Sequence, residues 1–316
     1  MKYVDEFRDP AKARALVQDI TQRLDGIASR LQRPLQIMEV CGGHTHSIFR
    51  YGIQQMLPPT VEFVHGPGCP VCVLPMGRVD DAIALARQPG MIFATFGDAM
   101  RVPGSTQSLL QARADGADVR MVYSPLDALQ LARDNPQRPV VFFGLGFETT
   151  MPATAMTLLQ ARRDGVANFS VFCNHITIIP TLRAILDEPD LQIDGFLGPG
   201  HVSMVIGIRC YDFIARDYQR PLTVAGFEPL DLLQALSMVI AQIADGRCEV
   251  ENQYRRIVPE HGNPQALAAM AEVFAPRETF EWRGLGSIAQ SGVRLRADFA
   301  AFDAERIFTV PQDRKS

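Results

Sequence analysis

Apolar residues recur at Ala13, Leu16, Val17, Ile20, Leu24, Ile27 and Leu31. That spacing of three to four predicts one amphipathic helix over residues 10–32, and Pro34 stops it. From Leu35 the texture changes. Short apolar runs rich in Val, Ile and Phe end in Gly or a polar turn, and an amphipathic stretch follows. The runs are LQIMEV (35–40), VEFV (61–64), MIFATFG (91–97), VRMVYS (119–124), PVVFFGLG (139–146), FSVFCN (169–174), IDGFLG (193–198) and LTVAGF (222–227). Mostly continuous runs fit strands covered on both faces, as in parallel sheets. Helical periodicity predicts helices at 77–88, 105–115, 125–134, 150–164, 178–187 and 229–245. Alternating strand and helix means an α/β fold with parallel sheets.

The eight runs divide into two sets of four at about residue 138. FVHGPGC (63–69) also echoes FLGPGH (196–201): a strand end, then Gly-Pro-Gly, then a nucleophile or ligand. Gly-Pro-Gly is a common turn; read as a duplication instead, the echo predicts two similar parallel-sheet α/β domains facing across a cleft, over 35–138 and 139–245. Residues 1–34 are expected to be a helical segment packing with the C-terminal part. Residues 246–316, which mix helix with irregular chain around the only Trp, Trp282, read as a small mixed domain.

Composition narrows the class. The 316 residues are 47% hydrophobic and 21% charged, with a net charge of −4, values typical of globular proteins. The charges are dispersed with no basic stripe, which argues against nucleic acid as a partner. The N-terminus alternates charged and apolar residues rather than forming a leader, and no run approaches a membrane span. The expected location is cytoplasmic, where thiols are reduced by default and a CxxC pair is more often functional than structural.

The unusual residues fall at the ends of predicted strands, where parallel α/β sheets collect their chemistry. Cys41-Gly42-Gly43-His44-Thr45-His46 follows the first run, and Gly66-Pro67-Gly68-Cys69-Pro70-Val71-Cys72 follows the second. Cys69 and Cys72 read as a dithiol/disulfide couple, as half of a metal site, or as small buried residues. Cys41 with nearby imidazoles suits a borderline transition metal. It also suits a nucleophile with a His base, or a buried Cys beside surface histidines. A zinc site from Cys41, Cys69, Cys72 and one His is a further arrangement. Glu148 reads as an acid, a base or a helix cap; His201 as a ligand, a proton donor or a turn residue; Asp98 as a catalytic carboxylate or a cap. GLGFETT lacks the Lys of a P-loop and the third Gly of a dinucleotide fingerprint. Cys173, Cys210 and Cys248 show no ligand spacing and read as inert.

Taken together and in order, CGGHTH, GPGCPVC, GFETT and GPGHVS resemble the HypD family of maturation factors for [NiFe]-hydrogenases, from the N-terminal helix to about residue 310. The resemblance implies an assembly scaffold with redox-active thiols rather than a conventional enzyme. It implies a HypC-type small chaperone as partner and a HypE-type cyanide donor working with HypF. Cys41 would bind an iron carried as Fe(CN)2CO, with a second Cys from the chaperone. Cys69 and Cys72 would form the redox pair, while His44, Glu148, Thr149 and His201 line the cleft. Members of the family normally carry four further C-terminal cysteines for a [4Fe-4S] cluster. No Cys follows Cys248 here, as in a truncated form or a variant without the cluster. The alternative readings are a stand-alone thiol–disulfide oxidoreductase on Cys69 and Cys72, and a zinc-dependent hydrolase.

Overall fold

In the computed structural model, residues 5–309 are described; residues 1–4 and 310–316, including the PQDRKS end, lie outside them. Strands form at all eight apolar runs: β1 (Leu35–Glu39), β2 (Val61–His65), β3 (Ile92–Thr95), β4 (Val119–Met121), β5 (Val140–Gly146), β6 (Phe169–His175), β7 (Gly195–Pro199) and β8 (Leu222–Ala225). A ninth, β9 (Val250–Asn252), follows. All of their pairings are parallel. Every residue of β3, β5, β6, β7 and β8 is buried, which is why these runs are apolar without alternation. No helix among the described residues is long and apolar enough to cross a membrane.

The strands do not sort at residue 138. One sheet has the order β2-β1-β7-β8-β9 and the other β4-β3-β5-β6. The described chain divides accordingly into a first unit of residues up to 69 and 185–264 and a second of 70–184 and from 265 on. A parallel strand is reached by a crossover, so neighbours in a sheet need not be neighbours in sequence. The Gly-Pro-Gly echo therefore does not mark two domains: β2 and β7 flank β1 in one sheet.

In the first unit, the helix Pro10–Ile27 starts at Asp9, whose side chain accepts the amides of Ala11 and Lys12. Its Ile20, Leu24 and Ile27 share a core with Leu232, Leu236, Val239 and Ile240 of the helix Pro229–Asp245. The N-terminal helix thus packs on that helix rather than on the C-terminal segment.

In the second unit, residues after 264 do not form a separate domain. Val273, Phe274, Val293, Leu295, Phe299 and Phe302 join the core made by Ile92, Phe142 and Val171. Two antiparallel pairs lie here: β10 (Phe274–Pro276) with β13 (Val293–Leu295), and β11 (Thr279–Trp282) with β12 (Gly286–Ala289). Trp282 is buried and its indole N–H donates to Ser291 Oγ at 2.8 Å. Strands of three or four residues carry too few positions for a period to show, so this segment reads as irregular.

A part-buried ion cluster ties the end of the described chain into the second unit. Glu305 accepts from Arg78 at 2.5 Å and from Arg277, and both guanidiniums also donate to Cys173 O. Burial alone would raise the Glu305 carboxyl, but the two arginines hold it below the usual range. Its contribution to stability is therefore present above the ordinary glutamate range and is lost as pH falls through it. Glu305→Ala leaves part-buried Arg78 with Asp81 at 3.9 Å as its remaining carboxylate, and the expected loss in urea-unfolding free energy is about 1–3 kcal/mol. An unchanged midpoint would show that the cluster contributes nothing net.

Candidate functional site

Parallel pairing puts the carboxyl ends of β2, β1, β7 and β8 on one edge of the first sheet. Cys41 follows β1, Gly66–Cys69 follows β2, His201 follows β7 and Phe227 follows β8. The Gly-Pro-Gly loop after β2 lies directly on the Cys41 turn. Gly66 N–H donates to Glu39 O at 2.8 Å, and Gly42 N–H donates to Gly68 O at 3.1 Å. A Cβ on Gly68 would stand 2.6 Å from Cys41 Cα, Cys41 N and Gly42 N, all of them backbone. Only glycine allows this approach. The Cβ of the next residue, Cys69, lies 3.9 Å from where a Cβ on Gly42 would be.

CGGHTH is not a loop. Cys41 caps the helix Gly42–Tyr51, with extended backbone at φ −147° and its carbonyl accepting the amides of His44 and Thr45. Its thiol is buried, and burial pushes it up to about 11. The amides of Gly43 and His44 oppose that shift, while the Glu39 carboxylate adds to it. Near neutral pH such a thiol keeps its proton.

His44 is fully buried. Its Nε2–H donates to Ala225 O at 3.1 Å, while Nδ1 has no hydrogen-bond partner. Burial lowers it to about 4, so the ring is neutral at pH 7 with a free lone pair on Nδ1. His46 lies on the exposed side of the same helix. His201 is exposed and stacks on Phe227 with centroids 3.8 Å apart, and burial on that face lowers its pKa. Phe227 also meets His44 at 4.9 Å, and its ring stands 2.7 Å from where a Cβ on Gly43 would be. Phe227 and Glu39 were not singled out by sequence reading; an aromatic or acidic residue at a strand end has no distinctive spacing.

Cys69 and Cys72 are disulfide-bonded, and the other four cysteines are free thiols. The proposed zinc arrangement therefore does not form. Among the described residues, no three His, Cys, Asp or Glu side chains are placed to hold one metal ion. Cys173, Cys210 and Cys248 donate to Val293 O, Gly207 O and Gln219 O respectively.

The second unit holds Asp98, Glu148 and Thr149. Asp98 is exposed and accepts the Ala99 amide at 2.8 Å, capping the turn Ala99–Arg101. Glu148 follows β5 and is buried. Its Oε1 accepts the amide of Ile178 at 3.0 Å, so it caps the helix Ile178–Leu186 rather than the helix that follows it in sequence. Its Oε2 is buried without a partner, and burial raises the carboxyl to about 7. Thr149 is exposed; Thr150 instead donates to Leu145 O. Buried His175 approaches Thr154 Oγ1 at 3.0 Å and Gly146 O at 3.3 Å.

Residues 12–316 match the family described as HypD, hydrogenase formation hypA family. Among curated relatives, the hydrogenase maturation factor HypD of Rhodobacter capsulatus is 63% identical, over 98% of this chain and 82% of the relative. The protein of the same name from Escherichia coli (strain K12) is 60% identical, over 98% of this chain and 83% of the relative. That of Azotobacter vinelandii is 56% identical, over 98% and 82%.

Two measurements check this geometry. Gly68→Ala drives a methyl into the Cys41 backbone and is expected to lower the unfolding free energy by about 1–3 kcal/mol. Gly26→Ala, with nothing within 4 Å of the new Cβ, should instead gain about 0.5–1 kcal/mol. Equal effects would contradict the close packing at Gly68. For Glu148, the folded protein keeps a proton that the unfolded chain loses above its ordinary value of 4.5, up to about 7. Its contribution is present at low pH and is lost as pH rises through that window. Relative to wild type, Glu148→Gln should therefore gain stability between about pH 5 and about pH 8 in urea unfolding. A constant difference would refute the raised value.

Proposed function

The chain belongs to the HypD family, and from that premise we propose that it is a cytoplasmic scaffold for hydrogenase maturation. Its cargo is an iron held at Cys41 while the Fe(CN)2CO unit is completed. A HypC-type small chaperone supplies a second thiolate, and a HypE-type donor working with HypF supplies cyanide. One observation carries this reading: a buried Cys41 thiol at a helix start, one turn from a neutral His44 whose Nδ1 has no partner. Thiolate and imidazole are donors for first-row transition metals, and a dry surrounding favours strong-field ligands over water.

The residues divide the work. Cys41 gives up its proton when the iron arrives, and the amides of Gly43 and His44 favour the resulting thiolate. Phe227 keeps water from His44 and orients His201, which is accessible enough to exchange protons. Cys69 and Cys72 are a two-electron store: closing the dithiol to the disulfide releases two electrons and two protons, and opening it consumes them. Glu148, still protonated near neutrality, is a second proton-bearing group beside exposed Thr149. Asp98 serves its turn as a cap. The cysteines present do not fit the [4Fe-4S] cluster expected for the family. Two are in a disulfide, and Cys173, Cys210 and Cys248 each bond a separate carbonyl.

The test is infrared spectroscopy of the protein purified anaerobically with a HypC-type chaperone. Wild type is expected to show CO and CN stretching bands, and Cys41→Ala to lose them. If neither shows bands while a longer relative loaded in parallel does, the scaffold reading fails and a thiol–disulfide oxidoreductase on Cys69 and Cys72 takes its place.

A further inference from the structure

Glu39 ends β1, two residues before Cys41, and is wholly buried. A carboxylate in that position is costly unless its oxygens are satisfied. Here Oε2 accepts the Cys41 amide at 2.9 Å. Oε1 accepts the Thr45 hydroxyl and meets His65 Nδ1 at 2.8 Å. The Glu39 carbonyl accepts Gly66 N–H at 2.8 Å. One side chain thus ties three segments: the end of β1, the first turn of the helix Gly42–Tyr51, and the end of β2. Thr45 is one helical turn beyond Cys41, and its amide already donates to Cys41 O at 3.2 Å. Cys41 is consequently held at its own N–H by Glu39, at its carbonyl by the helix, and at its Cα by the Gly68 backbone. With backbone fixed on both sides, the Cα–Cβ vector has one direction.

We propose that Glu39, braced by His65 and Thr45, is the positioning residue of the Cys41 turn, setting where Sγ points and keeping it buried until its ligand arrives. None of the three residues needs to touch the ligand. That the ligand is the iron cargo rests on the scaffold reading above; the orientation of the thiol does not. Here the hold is on the backbone of Cys41 rather than on its thiol, and groups that orient a metal ligand commonly carry a large share of the affinity.

The experiment reads Cys41 directly. Wild type, Glu39→Gln, Glu39→Ala, Thr45→Val and His65→Gln are treated with iodoacetamide at one pH. Modification of Cys41 is followed by peptide mass spectrometry, with Cys248 as the internal reference. Glu39→Ala is expected to speed Cys41 alkylation by about tenfold or more relative to Cys248, because access limits a buried thiol. Glu39→Gln keeps an oxygen of the same reach and should fall between. Thr45→Val and His65→Gln each remove one brace and should move in the same direction, which keeps the test valid if Glu39→Ala does not fold. In parallel, iron retained with the HypC-type chaperone should fall about 10–100-fold in Glu39→Ala. Folded variants with Cys41 rates within about twofold of wild type overturn the proposal, since access to the thiol would then not depend on Glu39. Altered alkylation in a protein whose wild type binds no iron sustains the positioning role and removes the cargo. Iron bound equally by wild type and Glu39→Ala removes the positioning role at the metal.

Discussion

Residues Ile37–Glu39 of β1 pair in parallel with β2 on one side and β7 on the other, and β8 follows β7. That arrangement brings Cys41, Cys69, His201 and Phe227 to one edge. Antiparallel neighbours would have sent alternate strand ends, and with them the Cys69 loop or His201, to the opposite edge. Because the strand ends coincide, the Gly66–Gly68 loop lies on the Cys41 turn, and Gly68 lets backbone meet backbone. The close approach at Gly68 is possible only because the register of β1 and β2 places it opposite the turn that follows Glu39.

Burial then decides the protonation states. His44 and His175 are held neutral, Glu148 keeps its proton near neutrality, and the Cys41 thiol resists ionisation. These shifts have one leading cause, removal from water. Their roles differ with hydrogen bonding: His175 has acceptable partners at both ring nitrogens, whereas His44 Nδ1 and Glu148 Oε2 have none. A satisfied buried histidine is part of the core. An unsatisfied one carries a standing cost that a ligand relieves.

The charged residues follow the same rule. Glu305 is tolerated inside the second unit because two guanidiniums meet it, and Asp231 inside the first because Arg256 grips it in a bidentate pair. Glu39 differs: apart from His65, its partners are an amide and a hydroxyl. Those directional bonds fix geometry more than they supply energy, which suits a residue placed beside the thiol that the site is built around.

Much of this was legible along the chain. Continuous apolar runs located all eight principal strands, and five of them, β3 and β5–β8, are covered on both faces and have no polar side to interrupt the run. The four ordered motifs pointed to the family and to Cys41, Cys69, Cys72, His44, Glu148 and His201. What the tertiary structure decided was adjacency. Strand order in a parallel sheet is set by crossovers, and nothing local encodes it, so the division at residue 138 dissolved and the glycine echo fell at the ends of two strands that flank β1 in one sheet. The short strands β10–β13 were hidden because three or four residues cannot display a period. Asp98 and Glu148 proved to be caps because capping depends on which helix start lies within reach. Glu39, His65 and Phe227 acquired meaning only when the fold brought an amide, a hydroxyl or an imidazole to them, since partners separated by up to 183 residues, as Phe227 and His44 are, are chosen by packing and not by spacing.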